Sequence, residues 1–261
     1  MDRHARLSAL LAMLAERGKV DVDEAAEELS ASSATIRRDL VYLDSQRLAT
    51  RTHGGAVANS AAYDLPLRFK TQRAIEEKRR IGQAAAELVA IGGVVALNGG
   101  TTTLEVSRAL AARRDLAAGT QAESLTVVTN AVNVAAEMLA RPYLKVVVTG
   151  GVVRAHSYEL YGPLAERSIE SLSVDMLFLG VDGFDLDFGA SAHSDAEVST
   201  NSLLVRAASR VVVVADSSKL GRRAFAQICP VQAVSVLVTD SGIDPALRFR
   251  LEGAGVEIIT A

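Results

Sequence analysis

The stretch Ser32-Ser33-Ala34-Thr35-Ile36-Arg37-Arg38-Asp39-Leu40-Val41-Tyr42-Leu43, with the basic, glycine-containing run from Gln46 to Val57 behind it, decides how this chain is read. Ile36, Leu40 and Leu43 fall at i, i+4 and i+7, one face of a helix that must be buried. Ser33, Thr35, Arg37 and Arg38 are left to turn outward. Upstream, Asp21 with Glu24 three residues on opens a helix that ends at Leu29, so two helices meet across a short turn. A further helix from Arg3 to Arg17 carries Leu7, Leu10, Leu11 and Leu14 at helical spacing and stops at Gly18 as at a C-cap glycine. After Leu43, Arg47, Arg51 and His53 lie on an expected two-stranded wing, with no acidic residue between Gln46 and Ala62. The pattern is a winged helix-turn-helix spanning residues 1–57.

Ser32 or Ser33 is a natural N-cap for the second helix, and Thr and Arg in its first turns are what a major-groove reader needs. Arginine makes bidentate contacts to guanine, threonine touches the thymine methyl, and both hold phosphate. The competing reading is a small helical subdomain with solvated arginines, and total charge gives it some support: residues 1–60 hold eight Lys/Arg against nine Asp/Glu. The distribution favours DNA. Asp21, Asp23, Glu24, Glu27 and Glu28 crowd the first helix of the pair, whereas Arg37, Arg38, Arg47 and Arg51 share the second helix and wing with only Asp39 and Asp44. The candidate DNA contacts are therefore Ser32, Ser33, Thr35, Arg37, Arg38, Arg47, Arg51 and His53.

At 261 residues the chain has room for this short domain and a second of ~200 residues with its own core. No apolar run reaches membrane-spanning length and no signal segment opens the chain, so a soluble, cytoplasmic protein is expected, with no membrane partner. The single Cys229 can make neither an internal disulfide nor a cysteine-cluster metal site, and it reads as structural. A net charge of -3 argues for a reader with a local basic patch over a general nucleic-acid coat.

Residues 58–73 are small and polar, close with Pro66 and read as a linker. From Ala74 the pattern alternates helix and strand. Ile75 to Ile91 is helical, and short β-branched bursts follow at 94–97, 125–128, 146–148, 176–179, 211–214, 236–238 and 256–259. Uninterrupted apolar strands separated by helices indicate an α/β domain over 74–261 with a mostly parallel, doubly wound sheet. Ligands of such sheets bind beyond the carboxyl ends of the strands. There the sequence places Asn98-Gly99-Gly100-Thr101-Thr102-Thr103, Thr129-Asn130, Thr149-Gly150-Gly151, Gly180-Val181-Asp182-Gly183 and Asp216-Ser217-Ser218-Lys219. Two glycines that allow close approach, a helix N-terminus and three threonine hydroxyls describe a phosphate cradle. It is neither a Walker A loop nor a dinucleotide fingerprint. A capped glycine turn and a plain surface lysine are the bland alternatives; Lys219 beside a phosphate or sugar oxygen, with Asp182 holding hydroxyls, is the sharper reading.

The run Thr35-Ile36-Arg37-Arg38-Asp39-Leu40 with Leu43, then Arg51-Thr52-His53-Gly54-Gly55-Ala56, resembles the N-terminal signature of the DeoR family of bacterial transcriptional regulators, and the strand-end motifs resemble its effector domain. The resemblance covers the whole chain. It implies a sensor domain similar in fold to ribose-5-phosphate isomerase, a repressor of carbohydrate genes that binds double-stranded operator DNA as a homodimer or homotetramer, and release by a phosphorylated sugar, with no cofactor or metal. The implied effector site comprises Asn98, Gly99, Gly100, Thr101, Thr102, Thr103, Thr129, Asn130, Gly150, Gly151, Arg154, Asp182, His193 and Lys219. Asn98 stands where the family commonly has Asp, and the segment from Gly189 to Asp195 departs from the commoner threonine-rich version, placing His193 near the rim as a sugar contact or a cap. The alternative is a sugar-phosphate isomerase using Asp182, Asp185 and Lys219. The isomerase's lysine- and glycine-rich stretch with its acid-base glutamate has no counterpart between Asp182 and Glu197.

Overall fold

The computed structural model describes residues 1–58, Leu67, 74–118 and 124–261, the side chains of residues 15 and 16 excepted. The chain divides into two compact units, Met1–Arg73 and Ala74–Ala261. Most of the expected linker, 59–66 and 68–73, lies outside the described residues, and its first residue, Ala58, belongs to a strand.

The first unit runs α1 (Arg3–Arg17), β1 (Lys19–Asp21), α2 (Val22–Glu28), α3 (Ser33–Ser45), β2 (Ala49–Arg51) and β3 (Gly55–Ala58). Leu10, Leu11 and Leu14 of α1, Ala25 of α2, and Ile36, Leu40 and Leu43 of α3 pack into one core. The expected two-stranded wing is a three-stranded antiparallel sheet in the order β1-β3-β2. β1 escaped the sequence because three residues with a single apolar one carry no period. Both turns that bound α3 are closed by left-handed residues other than glycine, Ser30 at φ 50° and Arg47 at φ 57°. At each, the next amide reaches back into the preceding helix, Ala31 to the Ala26 carbonyl and Leu48 to the Leu43 carbonyl, both at 2.9 Å.

The second unit runs α4 (Ile75–Glu87), β4 (Val94–Leu97), α5 (Thr101–Ala112), α6 (Arg114–Ala117), β5 (Leu125–Thr129), α7 (Val132–Met138), β6 (Leu144–Val148), β7 (Val152–Val153), β8 (Leu160–Tyr161), α8 (Pro163–Glu170), β9 (Val174–Gly180), β10 (Gly183–Asp185), β11 (Gly189–Ala192), α9 (Asp195–Ala207), β12 (Ala208–Val214), β13 (Ala226–Cys229), β14 (Val236–Thr239), α10 (Pro245–Gly253) and β15 (Glu257–Thr260). The seven apolar bursts are the seven strands of one sheet in the order β15-β14-β12-β9-β4-β5-β6, parallel throughout. Alternate residues feed opposite cores: Val95, Leu97, Met176, Phe178, Val212 and Val214 face α4, α5 and α7, while Ala96, Leu177, Leu179, Val211 and Val213 face α8, α9 and α10. The helix from Ile75 ends at Glu87, earlier than the expected Ile91. Short antiparallel additions, β7 with β8 and β10-β11-β13, cap the strand ends.

The strand order sets the site. From β4 the chain moves outward through β5 to β6, then returns to the other side of β4 at β9 and moves outward again. β4 and β9 flank the point where the order reverses, and the crevice beyond their carboxyl ends is where such sheets bind ligands.

Helices α4 and α5 touch backbone to backbone at Gly82, where an added Cβ would sit 2.6 Å from the Glu105 carbonyl carbon. Replacing Gly82 with Ala gains ~1 kcal/mol of helix propensity but forces the helices apart at a cost of roughly 1–3 kcal/mol, since backbone cannot turn aside. We expect Gly82→Ala to lower the denaturant midpoint of the second unit; an unchanged or raised midpoint would contradict this packing.

Candidate functional site

In the first unit, Ser32 caps α3, its hydroxyl accepting from the Thr35 amide at 3.2 Å and lying 2.8 Å from the Thr35 hydroxyl. Ser33 is half-buried, and its hydroxyl donates to the exposed Asp23 at 2.8 Å, tying α3 to α2. Of the two serines, Ser32 is the cap and the exposed one. Arg37, Arg38, Arg47, Arg51 and His53 are exposed. The Arg37 and Arg51 guanidiniums have no partner among the described residues, while Arg38 donates to its own helix at the Ala34 carbonyl, 3.2 Å away. Asp39 points the other way. It is 3% exposed, paired with Arg6 and 3.6 Å from Arg3, whose guanidinium also lies 4.7 Å over the Tyr42 ring. These contacts fix the roll of α3 against α1 and so which side chains face outward.

In the second unit the expected residues do gather at the strand ends, with different duties. Asn98, 1% exposed, donates from Nδ2 to the Gly180 carbonyl at 3.0 Å and accepts from the Gly180 amide at 2.8 Å, stitching β4 to β9 across the switch point. Thr129 donates its hydroxyl to the Leu97 carbonyl at 2.7 Å and accepts from the Ala131 amide at 3.0 Å, locking β5 to β4. Thr103 donates to the Gly100 carbonyl at 3.2 Å. Gly151 lies at φ 116°, and a Cβ there would fall 2.7 Å from the Tyr161 carbonyl oxygen, so it is a packing requirement beside the exposed Gly150. These groups build the rim.

Beside it lie the N-terminus of α5, capped by Gly100 with no side chain, with half-buried Thr101 and buried Thr102 in its first turn, and two charged clusters. Asp182 lies 3.8 Å from the Lys219 ammonium and accepts from the His193 amide at 3.2 Å. Arg154 donates to Glu197 at 3.0 Å. Asp185 is taken up elsewhere, accepting from the Asp187 and Phe188 amides at 3.1 and 3.0 Å and from Arg223 at 2.8 Å.

Glu159 is the residue that sequence reasoning missed. It is 3% exposed, accepts from the Gly99 amide at 2.7 Å through Oε1, and from Asn130 and Asn201 at 3.4 and 3.3 Å through Oε2. Backbone pairing delivers it: the Leu160 amide donates to the Asn130 carbonyl at 2.6 Å and the Val132 amide to the Tyr158 carbonyl at 3.0 Å. Burial, reinforced by the neighbouring Glu197 charge, pushes its carboxyl up to about 8, against the pull of the Gly99 amide and Asn201. The buried Asn130 Oδ1 beside it has no partner among the described residues.

The DeoR C-terminal sensor domain family model matches residues 73–241, and the DeoR-like helix-turn-helix domain model matches residues 6–62. The HTH-type transcriptional regulator GlpR of Haloferax volcanii is 36% identical over 91% of this chain and 90% of its own. The glycerol-3-phosphate regulon repressor of Escherichia coli K12 is 29% identical over 92% of each. Among solved structures, a ribose 5-phosphate isomerase from Plasmodium falciparum aligns over 55% of this chain and 52% of its own at 16% identity and TM-score 0.39.

A carboxyl whose folded value lies above its unfolded value of 4.5 keeps its proton in the folded state after the unfolded chain has lost it. Stability therefore falls as pH rises from about 4.5 to about 8, and the penalty is complete above that window. Glu159→Gln, which retains an acceptor for the Gly99 amide, should melt higher than the parent at pH 9 and differ least at pH 5. Melting curves that run parallel across that range would exclude a buried, proton-retaining Glu159.

Proposed function

The chain belongs to the DeoR family of transcriptional regulators, and on that footing we propose that it represses carbohydrate-metabolism genes by binding double-stranded operator DNA and is released by a phosphorylated sugar. The observation that carries the effector half is the open α5 N-terminus at the sheet's switch point, with Thr101, Thr102, Lys219 and Arg154 around it. Unpaired helix amides and a nearby ammonium suit a phosphate ester, and Asp182 suits its hydroxyls. The DNA half rests on α3, whose N-terminal turns carry exposed Arg37 and Arg38 beside Thr35, with Arg47, Arg51 and His53 flanking on the wing for phosphate. The glycerol-3-phosphate regulon repressor among the relatives is consistent with a phosphate-ester effector.

The reading includes assembly as a homodimer or homotetramer, which a palindromic operator would match. It also includes a cytoplasmic location with the DNA; no helix among the described residues is long and apolar enough to cross a membrane. Family membership sets the chain among regulators and apart from the isomerases, and Asp185, bound by two amides and Arg223, is not disposed as a proton shuttle. Effector binding must favour one state of the regulator over another, a coupling of ~1–3 kcal/mol.

Fluorescence anisotropy on the DNA upstream of the gene, with a panel of sugar phosphates and their unphosphorylated parents, tests the reading directly. Tight binding relieved only by a phosphate ester is the expected result. Arg37→Ala with Arg38→Ala should weaken operator binding by on the order of 1–3 kcal/mol for each arginine that reads a base and leave effector affinity intact; a normal footprint would remove the pair from the interface. Lys219→Ala should bind operator normally and lose the effector response, and an unchanged dose response would remove it from the site.

A further inference from the structure

Glu159 holds a backbone amide at the approach to α5. Its carboxylate takes the Gly99 amide, the donor leading into the open end of α5, and its side chain lies against Gly99 so closely that a Cβ there would fall 2.4 Å from Glu159 Cγ. Asn130 and Asn201 hold the second oxygen. A buried carboxylate at a helix N-terminus imitates the ligand such a terminus attracts. The Asn130 Oδ1, on a residue with no exposed surface, has no partner among the described residues; as an acceptor it suits a hydroxyl of the ligand and not its phosphate.

Resting on the effector-site reading above, we propose that Glu159 is a resident competitor for this cradle, so that a phosphate dianion binds when Glu159 is protonated and, where Glu159 is still charged, a proton enters from solvent with the anion. The charges that face it come from every neighbouring element: Glu197 on α9, paired with Arg154, and Asp182 beyond β9, paired with Lys219. The two anions add to the burial of Glu159 and favour its proton, while the two cations are already engaged with carboxylates. A charged Glu159 would add a third anion against the incoming dianion, and a neutral one removes that repulsion and supplies a donor. The raised carboxyl, at about 8, sets the exchange within the physiological range. The backbone of 158–160 is stitched to 130–132, so the side chain yields and the chain stays.

Glycerol 3-phosphate is a suitable probe, because a phosphate monoester with its second pKa near 6 stays dianionic above neutral pH. Binding to the full chain is measured by calorimetry from pH 7 to 9, in buffers of differing ionisation enthalpy. With the Glu159 carboxyl at about 8, the wild type should bind about tenfold more weakly at pH 9 than at pH 7 and take up roughly half a proton per anion at pH 8, approaching one at pH 9; a tenfold change corresponds to one pH unit of linked protonation. Glu159→Gln should bind as tightly at pH 9 as at pH 7 with no proton uptake, and Glu159→Asp, which keeps the charge and withdraws it from Gly99, should fall between. Equal affinity of wild type and variants at every pH, with no proton uptake, would overturn the competitor and leave the effector site standing. Absence of binding to any of the proteins, Glu159→Gln included, would overturn the site reading and the competitor with it.

Discussion

The side chain of Asn98 holds open the place on which the sensor unit depends. The β4/β9 ladder ends at Leu97 opposite Phe178, and at a switch point the connections on either side diverge. Asn98 extends the pairing by one step with its own amide, donating to and accepting from Gly180. Each such bond contributes about 1 kcal/mol net, but leaving either Gly180 group buried and unmet would cost ~1–3 kcal/mol. The clamp fixes where Gly99 points its N–H and where α5 begins. An aspartate at 98 could accept from the Gly180 amide but would have to be protonated to serve the Gly180 carbonyl as well. Asparagine at 98 is thus the neutral version of a two-way bond, and it adds no charge at the strand ends.

Around that clamp the charges are arranged so that none stands alone. Lys219 leans toward Asp182, Arg154 toward Glu197, and Glu159 toward backbone amide and two side-chain amides. A buried ion loses much of its hydration, and only close partners make it tolerable. The charges at the strand ends are thus already paired with one another. Such an arrangement suits a sensor, which needs a ligand to alter contacts more than it needs a reactive group exposed.

The long-range fold was legible because strands buried on both faces must be apolar at every position, which made 94–97, 125–128, 176–179 and 211–214 stand out. The small sheet β10-β11-β13 was not, since Gly183-Phe184-Asp185 and Gly189-Ala190-Ser191-Ala192 carry almost no β-branched signal and exist through pairing with each other. The rim was legible as composition, but the duties of its members were not: Asn98, Thr129 and Gly151 look like ligand groups in one dimension and hold backbone in three. Glu159 was invisible for the opposite reason. It lies in no motif and reaches Gly99, sixty positions away in the chain, only because residues 158–160 pair with 130–132. In the first unit, the outward and inward positions of α3 followed from period alone, whereas the bond of Ser33 to Asp23 required knowing how α2 crosses it.

Asp39 has a consequence for the field that the reading helix presents. A carboxylate among Arg37 and Arg38 would, by sequence proximity, dull their attraction for a polyanion. The helical turn instead sends it inward, where the mostly buried Arg6 pairs with it and the exposed Arg3 lies 3.6 Å away. The acids of α2 are likewise occupied in part, Asp21 by the amides of its own helix and Glu28 by Arg17. A chain whose net charge is -3 thereby leaves Arg37 and Arg38 exposed while the carboxylate next to them in sequence is buried. It achieves this by sorting its charges between faces, without any excess of basic residues.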